Sequence, residues 1–87
     1  MASCRVEFRG PAEKDLRRVA RRDISRLVSA AQALSENPLP HSVRKLVGGE
    51  HTYRIRVGDY RFVYRFLPGD KLVTIERIRH RKDVYRD

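Results

Sequence analysis

Residues 53–66 read YRIRVGDYRFVYRF, and the rest of the chain is organised around this stretch. Apolar and basic residues alternate on both sides of Gly58-Asp59, a pattern that predicts two strands joined by a tight turn. Because successive side chains of a strand point to opposite faces, one face of this hairpin is predicted to be apolar and the other basic. The apolar set is Tyr53, Ile55, Val57, Tyr60, Phe62, Tyr64 and Phe66, and the basic set is Arg54, Arg56, Arg61 and Arg65. Guanidinium groups held on a rigid strand predict a phosphate-binding surface.

The size and charge of the chain narrow the classes of partner. Its 87 residues predict one small domain, spanning 1–87, near the size at which a single core is barely sufficient. Twenty Lys and Arg against eleven Asp and Glu give a formal net charge of +9. This excess predicts attraction to polyanions, with nucleic acid the leading candidate and a nonspecific or ribosomal basic domain the alternative.

The sequence also argues against several cellular settings. Cys4 is the only cysteine, so an internal disulfide and a cysteine zinc site are both excluded. The first residues lack an apolar run of signal-peptide length, and no run approaches the roughly 20 residues that span a bilayer. We therefore expect a cytoplasmic protein with no membrane partner.

Two helices are predicted between the first strand and residue 40. Residues 5–9 alternate as a short strand, and Pro11 suits the first position of a helix. The first helical stripe is Ala12, Leu16, Val19 and Ala20; the second, which Asp23 could cap, is Ile24, Leu27, Val28, Ala31 and Leu34. The segment SENPLP at 35–40 should end the second helix, because each proline disfavours helix in the residue before it.

The second half of the chain predicts strands. Residues 43–47 and 72–78 read as strands beside the hairpin, and Pro68-Gly69-Asp70 forms a turn that pairs 72–78 antiparallel with 61–66. In residues 72–78 both alternating sets of side chains contain apolar and charged residues. The sequence therefore does not decide which face of this strand is buried. The expected fold is α+β: a strand, two helices and a strand meander, with a small antiparallel-rich sheet of about four strands and a helical hairpin on one face. Its open face would form a basic groove.

Two stretches give this sequence a resemblance to a known family. They are residues 53–64, YRIRVGDYRFVY, and residues 78–85, IRHRKDVY, supported by Asn37-Pro38 and by KLVG at 45–48. From Val6 to Arg86 the chain resembles the RelE toxins of type II toxin–antitoxin pairs, within the RelE/ParE superfamily. The resemblance implies a ribosome-dependent endoribonuclease that cuts messenger RNA in the decoding site. It also implies a cognate antitoxin, encoded beside the toxin, through which promoter DNA is contacted only indirectly.

The same resemblance assigns residues to the reaction. The family's basic residues on the first hairpin strand fall on Arg54 and Arg56, and its arginine on the following strand falls on Arg61. Its C-terminal arginine and tyrosine fall on Arg81 and Tyr85, with Arg79 as the rival of Arg81. Further contacts to RNA or the ribosome are expected from basic residues on the strands and the C-terminal segment: Lys45, Arg54, Arg56, Arg65, Arg77, Arg79 and Lys82.

RNA can cut itself when a 2′-OH attacks the adjacent phosphate, and catalysis then needs a base, charge stabilisation and an acid. The arginines would stabilise the charge without metal, and three scattered histidines without a carboxylate cluster predict neither metal nor other cofactor. Arginine effectively never deprotonates, so the proton transfers fall to Tyr85 first and His80 second, as acid. Glu50, Asp59 and Glu76 remain open as bases.

Two other functions stay open at this point. One is a ParE-like inhibitor that binds DNA gyrase and cuts nothing. The other is a catalytically weak toxin that acts mainly as antitoxin partner and corepressor. Tyr60 and Tyr64 share their parity with Phe62 and Phe66, so they are expected in the core or at its rim and not in catalysis.

Overall fold

The computed structural model describes residues 3–46 and 48–84, with only the backbone of Asp83 and Val84. Five strands and three helices follow one another along this part of the chain. They are β1 (Arg5–Phe8), α1 (Gly10–Arg17), α2 (Arg21–Glu36), β2 (Arg44–Lys45), β3 (Thr52–Val57), β4 (Tyr60–Leu67), β5 (Leu72–His80) and α3 (Arg81–Val84). No helix in this described part is long and apolar enough to cross a membrane.

All five strands form one mixed sheet in the order β1-β5-β4-β3-β2. The strands β2 to β5 pair antiparallel, and β1 pairs parallel with β5. The predicted α+β fold is confirmed, with one strand more than the four expected. The predicted strand at 43–47 is represented by only two paired residues, Arg44 and Lys45, while Val47 lies outside the described residues.

The hairpin of β3 and β4 has the predicted register. Val57 pairs with Tyr60, which leaves Gly58 and Asp59 as a two-residue loop. Gly58 has a φ of +61°, a conformation that costs glycine little and other residues more. The turn therefore fixes which side chains of β3 and β4 lie opposite each other, and so which arginines share a face.

A β-bulge in β5 explains its mixed sequence parity. Val63 pairs with Arg77 and Tyr64 with Ile75, so Glu76 is an extra residue that shifts the alternation by one. As a result Val73, Ile75 and Ile78 all face the core, with exposed fractions of 0%, 0% and 5%. The sequence pattern did not decide which face of β5 is buried. The extra residue Glu76 decides it.

The core lies between the helices and the side of the sheet that carries Phe62 and Tyr64. Side chains from α1 and α2 complete it, namely Ala12, Leu27, Ala31 and Leu34. Tyr64 is fully buried, and its hydroxyl donates a hydrogen bond to the carbonyl of Pro38 at 2.7 Å. Burial, with Tyr53 nearby, raises the pKa of Tyr64. The expectation that Tyr64 belongs to the core is confirmed.

The start of α2 differs from the sequence prediction. The helix begins at Arg21 with Ala20 as its N-cap, and no side chain caps it. Asp23 lies inside the first turn, where its backbone N–H donates to the carbonyl of Ala20 at 2.8 Å. The prediction of Asp23 as the cap was wrong, although a carboxylate in a first turn still interacts favourably with the helix dipole.

Candidate nucleic-acid interface

Three arginines lie side by side across the sheet, on the face turned away from α1 and α2. Arg56 of β3 pairs with Arg61 of β4, and Arg61 pairs with Arg79 of β5. Side chains of directly opposed residues have Cβ atoms roughly 4.5–5.5 Å apart, and like charges in such pairs destabilise a sheet. We call this set the arginine row. An anion bound between its members would relieve their repulsion.

A second line of paired residues, basic at three of its four positions, runs beside the arginine row. Arg44 of β2 pairs with Arg54 of β3, Arg54 pairs with Val63, and Val63 pairs with Arg77 of β5. The rigid hairpin therefore presents arginines from two successive lines on the same face.

Two clefts open where these side chains converge. One has a volume of about 340 Å³ and is lined by Ser42, Arg44, Arg54, Arg56 and Arg61. The other has a volume of about 420 Å³ and is lined by Arg56, Arg61, Arg81 and Lys82. Arg56 and Arg61 line both. The guanidinium fork matches phosphate oxygens in geometry and charge, so the paired clefts suit neighbouring phosphates of a nucleic acid.

The hairpin turn contacts Arg81, which lines the second cleft. The backbone N–H of Arg81 donates to the carbonyl of Asp59 at 2.7 Å. Nη1 of Arg81 lies 3.9 Å from Oδ1 of Asp59, and both side chains are more than half exposed. An exposed pair of this kind contributes little to stability, so the guanidinium of Arg81 can turn to an anion at small cost.

Arg77, predicted as an RNA contact, has a partner inside the protein. Its Nε and Nη2 donate to the two carboxylate oxygens of Asp15 in α1, at 2.8 and 3.1 Å. The backbone N–H of Ile78 donates to the same carboxylate at 2.9 Å. Burial raises the pKa of Asp15, but these hydrogen bonds and the charges of Arg77 and Arg79 outweigh burial, so the pKa is lowered overall. Arg77 thus anchors β5 to α1.

His80 lies on the other side of the sheet from the arginine row. It pairs with Tyr60, and their rings meet edge to face with centroids 5.1 Å apart. Nδ1 of His80 accepts a hydrogen bond from the backbone N–H of Lys82 at 3.1 Å. Neither cleft is lined by His80. His80 is therefore better placed to orient the segment that carries Arg81 than to transfer a proton to RNA.

Sequence reasoning missed two residues of the first cleft. Lys45 was predicted to bind RNA, but it pairs with Tyr53 and lines a different cavity with Leu46 and Gly48. Its neighbour Arg44, together with Ser42, lines the arginine cleft instead. The signal that would have found Arg44 is the register of β2 against β3, which the sequence of so short a strand does not reveal.

The remaining predicted residues lie around this centre or beyond the described chain. Arg65 pairs with Thr52 of β3 and Thr74 of β5, and it lines neither cleft. Glu76 accepts a hydrogen bond from the hydroxyl of Thr74 at 2.7 Å, whereas Asp59 lies beside Arg81. Tyr85 lies outside the described residues.

Comparison with known proteins identifies the architecture. The profile described as "ParE toxin of type II toxin-antitoxin system, parDE" matches residues 6–85. The chain belongs to the RelE/ParE superfamily of type II toxins. The RelE1 protein of Methanocaldococcus jannaschii is 27% identical over 85 residues, covering 94% of each chain.

Solved toxin–antitoxin complexes share the fold of this RelE/ParE toxin. The complex RelBE2 from Mycobacterium tuberculosis matches with a TM-score of 0.81 and 30% identity, over 90% of this chain and 98% of that one. The archaeal RelE–RelB complex from Pyrococcus horikoshii matches with a TM-score of 0.80 and 28% identity, over 91% and 96%. The resemblance seen in residues 53–64 and 78–85 is thereby confirmed at the level of the family.

Proposed function

We propose that this toxin is a ribosome-dependent endoribonuclease that cuts messenger RNA and is neutralised by a cognate antitoxin. The arginine row carries the proposal, because it concentrates positive charge along one line of a rigid sheet at a cost in stability. The adjoining clefts, lined almost entirely by arginine and lysine, support a polyanionic substrate. Because translating ribosomes and their messenger RNA are found in the cytoplasm, the proposed activity is cytoplasmic.

The reaction we propose is attack of the 2′-OH on the adjacent phosphate. The O2′–P bond forms and the P–O5′ bond breaks, leaving a cyclic phosphate and a 5′-hydroxyl. A base takes the proton of the 2′-OH, and an acid donates a proton to the leaving O5′. Arg61 and Arg56, shared by both clefts, are the donors placed to stabilise the extra negative charge that develops on the phosphate oxygens.

Arginine provides this charge but does not exchange protons near neutral pH. By resemblance to the family, Tyr85 is the proposed proton-transfer group. Asp59 is the alternative base, because its Oδ1 lies 3.9 Å from Nη1 of Arg81, which lines the second cleft. Because few proton-transfer groups lie near the clefts among the described residues, the toxin would depend on the ribosome to align the 2′-OH with the phosphate. Alignment alone can contribute much of a rate enhancement.

Primer extension on a translated messenger tests the proposed activity. The toxin is added to a reconstituted translation system, and the same messenger without ribosomes is the control. We expect breaks only in codons occupied by ribosomes. Breaks of equal strength without ribosomes would contradict dependence on the ribosome, and an intact messenger in both reactions would contradict the endoribonuclease.

The alternative is inhibition of DNA gyrase without cleavage. The name of the matched family profile, which is that of ParE toxins, favours this candidate. Gyrase inhibition explains less of the site, because a protein that only binds gyrase has no need for an arginine row that fits phosphates. An arrested culture with an intact messenger, together with loss of gyrase supercoiling by the purified toxin, would support it over the endoribonuclease.

Tyr85→Phe tests the proposed proton transfer. Removal of the phenol oxygen should lower the cleavage rate while leaving affinity for the ribosome nearly unchanged, because the aromatic ring remains. Single-turnover cleavage and ribosome co-sedimentation measure the two quantities, and Tyr60→Phe is a matched control on the helix-packed side of the sheet. Equal losses of rate and affinity for Tyr85→Phe would mean that the phenol binds and does not transfer protons.

A further inference from the structure

The turn between β3 and β4 contacts two of the arginines that line the second cleft. Nε of Arg56 donates to the carbonyl of Gly58 at 3.1 Å, and the backbone N–H of Arg81 donates to the carbonyl of Asp59 at 2.7 Å. Both arginines line the cleft of about 420 Å³. Two consecutive carbonyl groups of one turn therefore contact two residues of the same cleft.

These two arginines reach the cleft from different parts of the sheet. Arg56 lies on β3, just before the turn, whereas Arg81 is the first residue of α3 and follows the whole of β5. The ladder of strand pairs fixes Arg61 between Arg56 and Arg79. On β5 this ladder ends at His80, one residue before Arg81. The contact with the turn therefore relates Arg81 to Arg56 where strand pairing no longer does.

The two hydrogen bonds do not use the ends of the guanidinium groups. The donors are Nε of Arg56 and the backbone N–H of Arg81, so neither bond involves a terminal Nη group. Nη1 of Arg81 lies 3.9 Å from Oδ1 of Asp59, and both side chains are more than half exposed, so this pair contributes little to stability. An anion can therefore replace the carboxylate at Arg81 while the backbone contact stays in place.

Gly58 makes the shape of this turn sensitive to substitution. Its φ of +61° lies in the left-handed region, which residues with a side chain rarely adopt. A Cβ atom at this position would lie 3.0 Å from Nη1 of Arg26, the end of a flexible side chain that can move. Backbone conformation, more than space, is thus what a side chain at residue 58 would disturb. A changed backbone would move the carbonyl groups of both Gly58 and Asp59.

We propose that the Gly58-Asp59 turn is a positioning element of the RNA site, which sets the separation of Arg56 and Arg81 across the second cleft. The inference rests on the proposed function, because it assigns a phosphate of the RNA to this cleft. A preset separation reduces the conformational entropy that the two side chains lose when they bind the phosphate. Asp59 contributes its backbone carbonyl, a role that does not depend on the ionisation of its carboxylate.

Gly58→Ala tests the turn, and Gly69→Ala is its matched control. Gly69 lies in the turn between β4 and β5, without a left-handed φ, and a Cβ atom built on it meets no atom within 4 Å. Fluorescence anisotropy measures affinity for a short labelled single-stranded RNA at low salt, well below the Tm of each variant. We expect Gly58→Ala to weaken affinity by about tenfold, because displaced binding groups no longer fit the phosphate. Gly69→Ala should bind like the wild type.

A cycle of variants separates positioning from a general loss of structure. In the Arg81→Ala background, the loss of RNA affinity caused by Gly58→Ala should shrink to about threefold or less, because the turn then has one guanidinium fewer to position. An equal loss in both backgrounds would overturn the positioning role. Absence of binding by the wild type, or wild-type affinity in Gly58→Ala, would overturn it as well.

Hydrogen exchange followed by NMR examines the contact without RNA. The backbone N–H of Arg81 should exchange slowly in the wild type and in Gly69→Ala, because the carbonyl of Asp59 accepts it, and faster in Gly58→Ala. Rapid exchange of this N–H in the wild type would overturn the contact, and that measurement requires no variant to fold.

Messenger cleavage on ribosomes keeps this inference distinct from the proposed activity. Gly58→Ala should lower the cleavage rate by about 10–100-fold, since small misplacements of binding groups are costly for a reaction that depends on alignment. If neither the wild type nor any variant cleaves messenger RNA, the endoribonuclease fails. The RNA affinities and the exchange of the Arg81 N–H then still decide whether the turn positions the arginines.

Discussion

Arg61→Ala is expected to lower the rate of messenger cleavage by about 10²–10³-fold, the usual cost of one donor that stabilises a developing negative charge. Arg61 occupies the middle of the arginine row, between Arg56 and Arg79, and lines both clefts. Its loss removes one of the two donors that line both clefts, whereas loss of Arg44 or Lys82 affects one cleft only. Growth inhibition by the toxin should be abolished, and antitoxin binding should remain intact.

Two further variants make the measurement specific. Arg61→Lys keeps the charge but loses the planar fork of donors, so its rate should fall between those of the wild type and Arg61→Ala. Arg22→Ala removes the same charge from an exposed position of α2 and should leave the rate close to that of the wild type. Single-turnover cleavage on programmed ribosomes measures all three. A wild-type rate in Arg61→Ala would rule out the proposed role of Arg61.

The parts of the fold that depend on local pattern could be predicted from the sequence. The alternation in residues 53–66 and the glycine at the turn fix the register of β3 and β4, and this register creates the pairing of Arg56 with Arg61. The prolines after residue 36 likewise mark the end of α2. At these positions residues close in sequence determine the structure, because the alternation of side chains and the preferences of turn residues act over a few positions.

Other features depend on contacts between distant residues, and the sequence pattern does not contain them. The bulge at Glu76 is visible only once β5 is paired with β4. The contact of Asp15 with Arg77 joins residues 62 positions apart. Arg44, not Lys45, enters the arginine cleft because of the register of a two-residue strand. Each of these is set by tertiary packing, which overrides local preference.

The same distant contact leads to the largest stability effect that we expect. Asp15→Ala should destabilise the protein by about 2–3 kcal/mol, since it leaves the N–H of Ile78 and the guanidinium of Arg77 without their acceptor. The side chain of Asp15 is only 12% exposed, whereas that of Arg77 is 42% exposed and keeps partial access to water. For a domain of this size each kcal/mol lowers Tm by roughly 4–8 °C. Glu13→Ala, at an exposed position of the same helix, is the matched control and should change Tm little.

The pH dependence of this difference identifies the charge of Asp15 as its cause. The folded pKa of Asp15 lies below the ordinary value of about 3.9, so the folded state favours the ionised carboxylate. Its contribution is therefore fully present above that value and is lost as the pH falls through the lower folded pKa. Thermal melts of the wild type and Asp15→Ala should differ most at pH 5 and above, by about the Tm shift stated above, and converge in more acidic solution. A difference in Tm that stays constant as the pH falls would instead assign the effect to packing of the side chain and not to its charge.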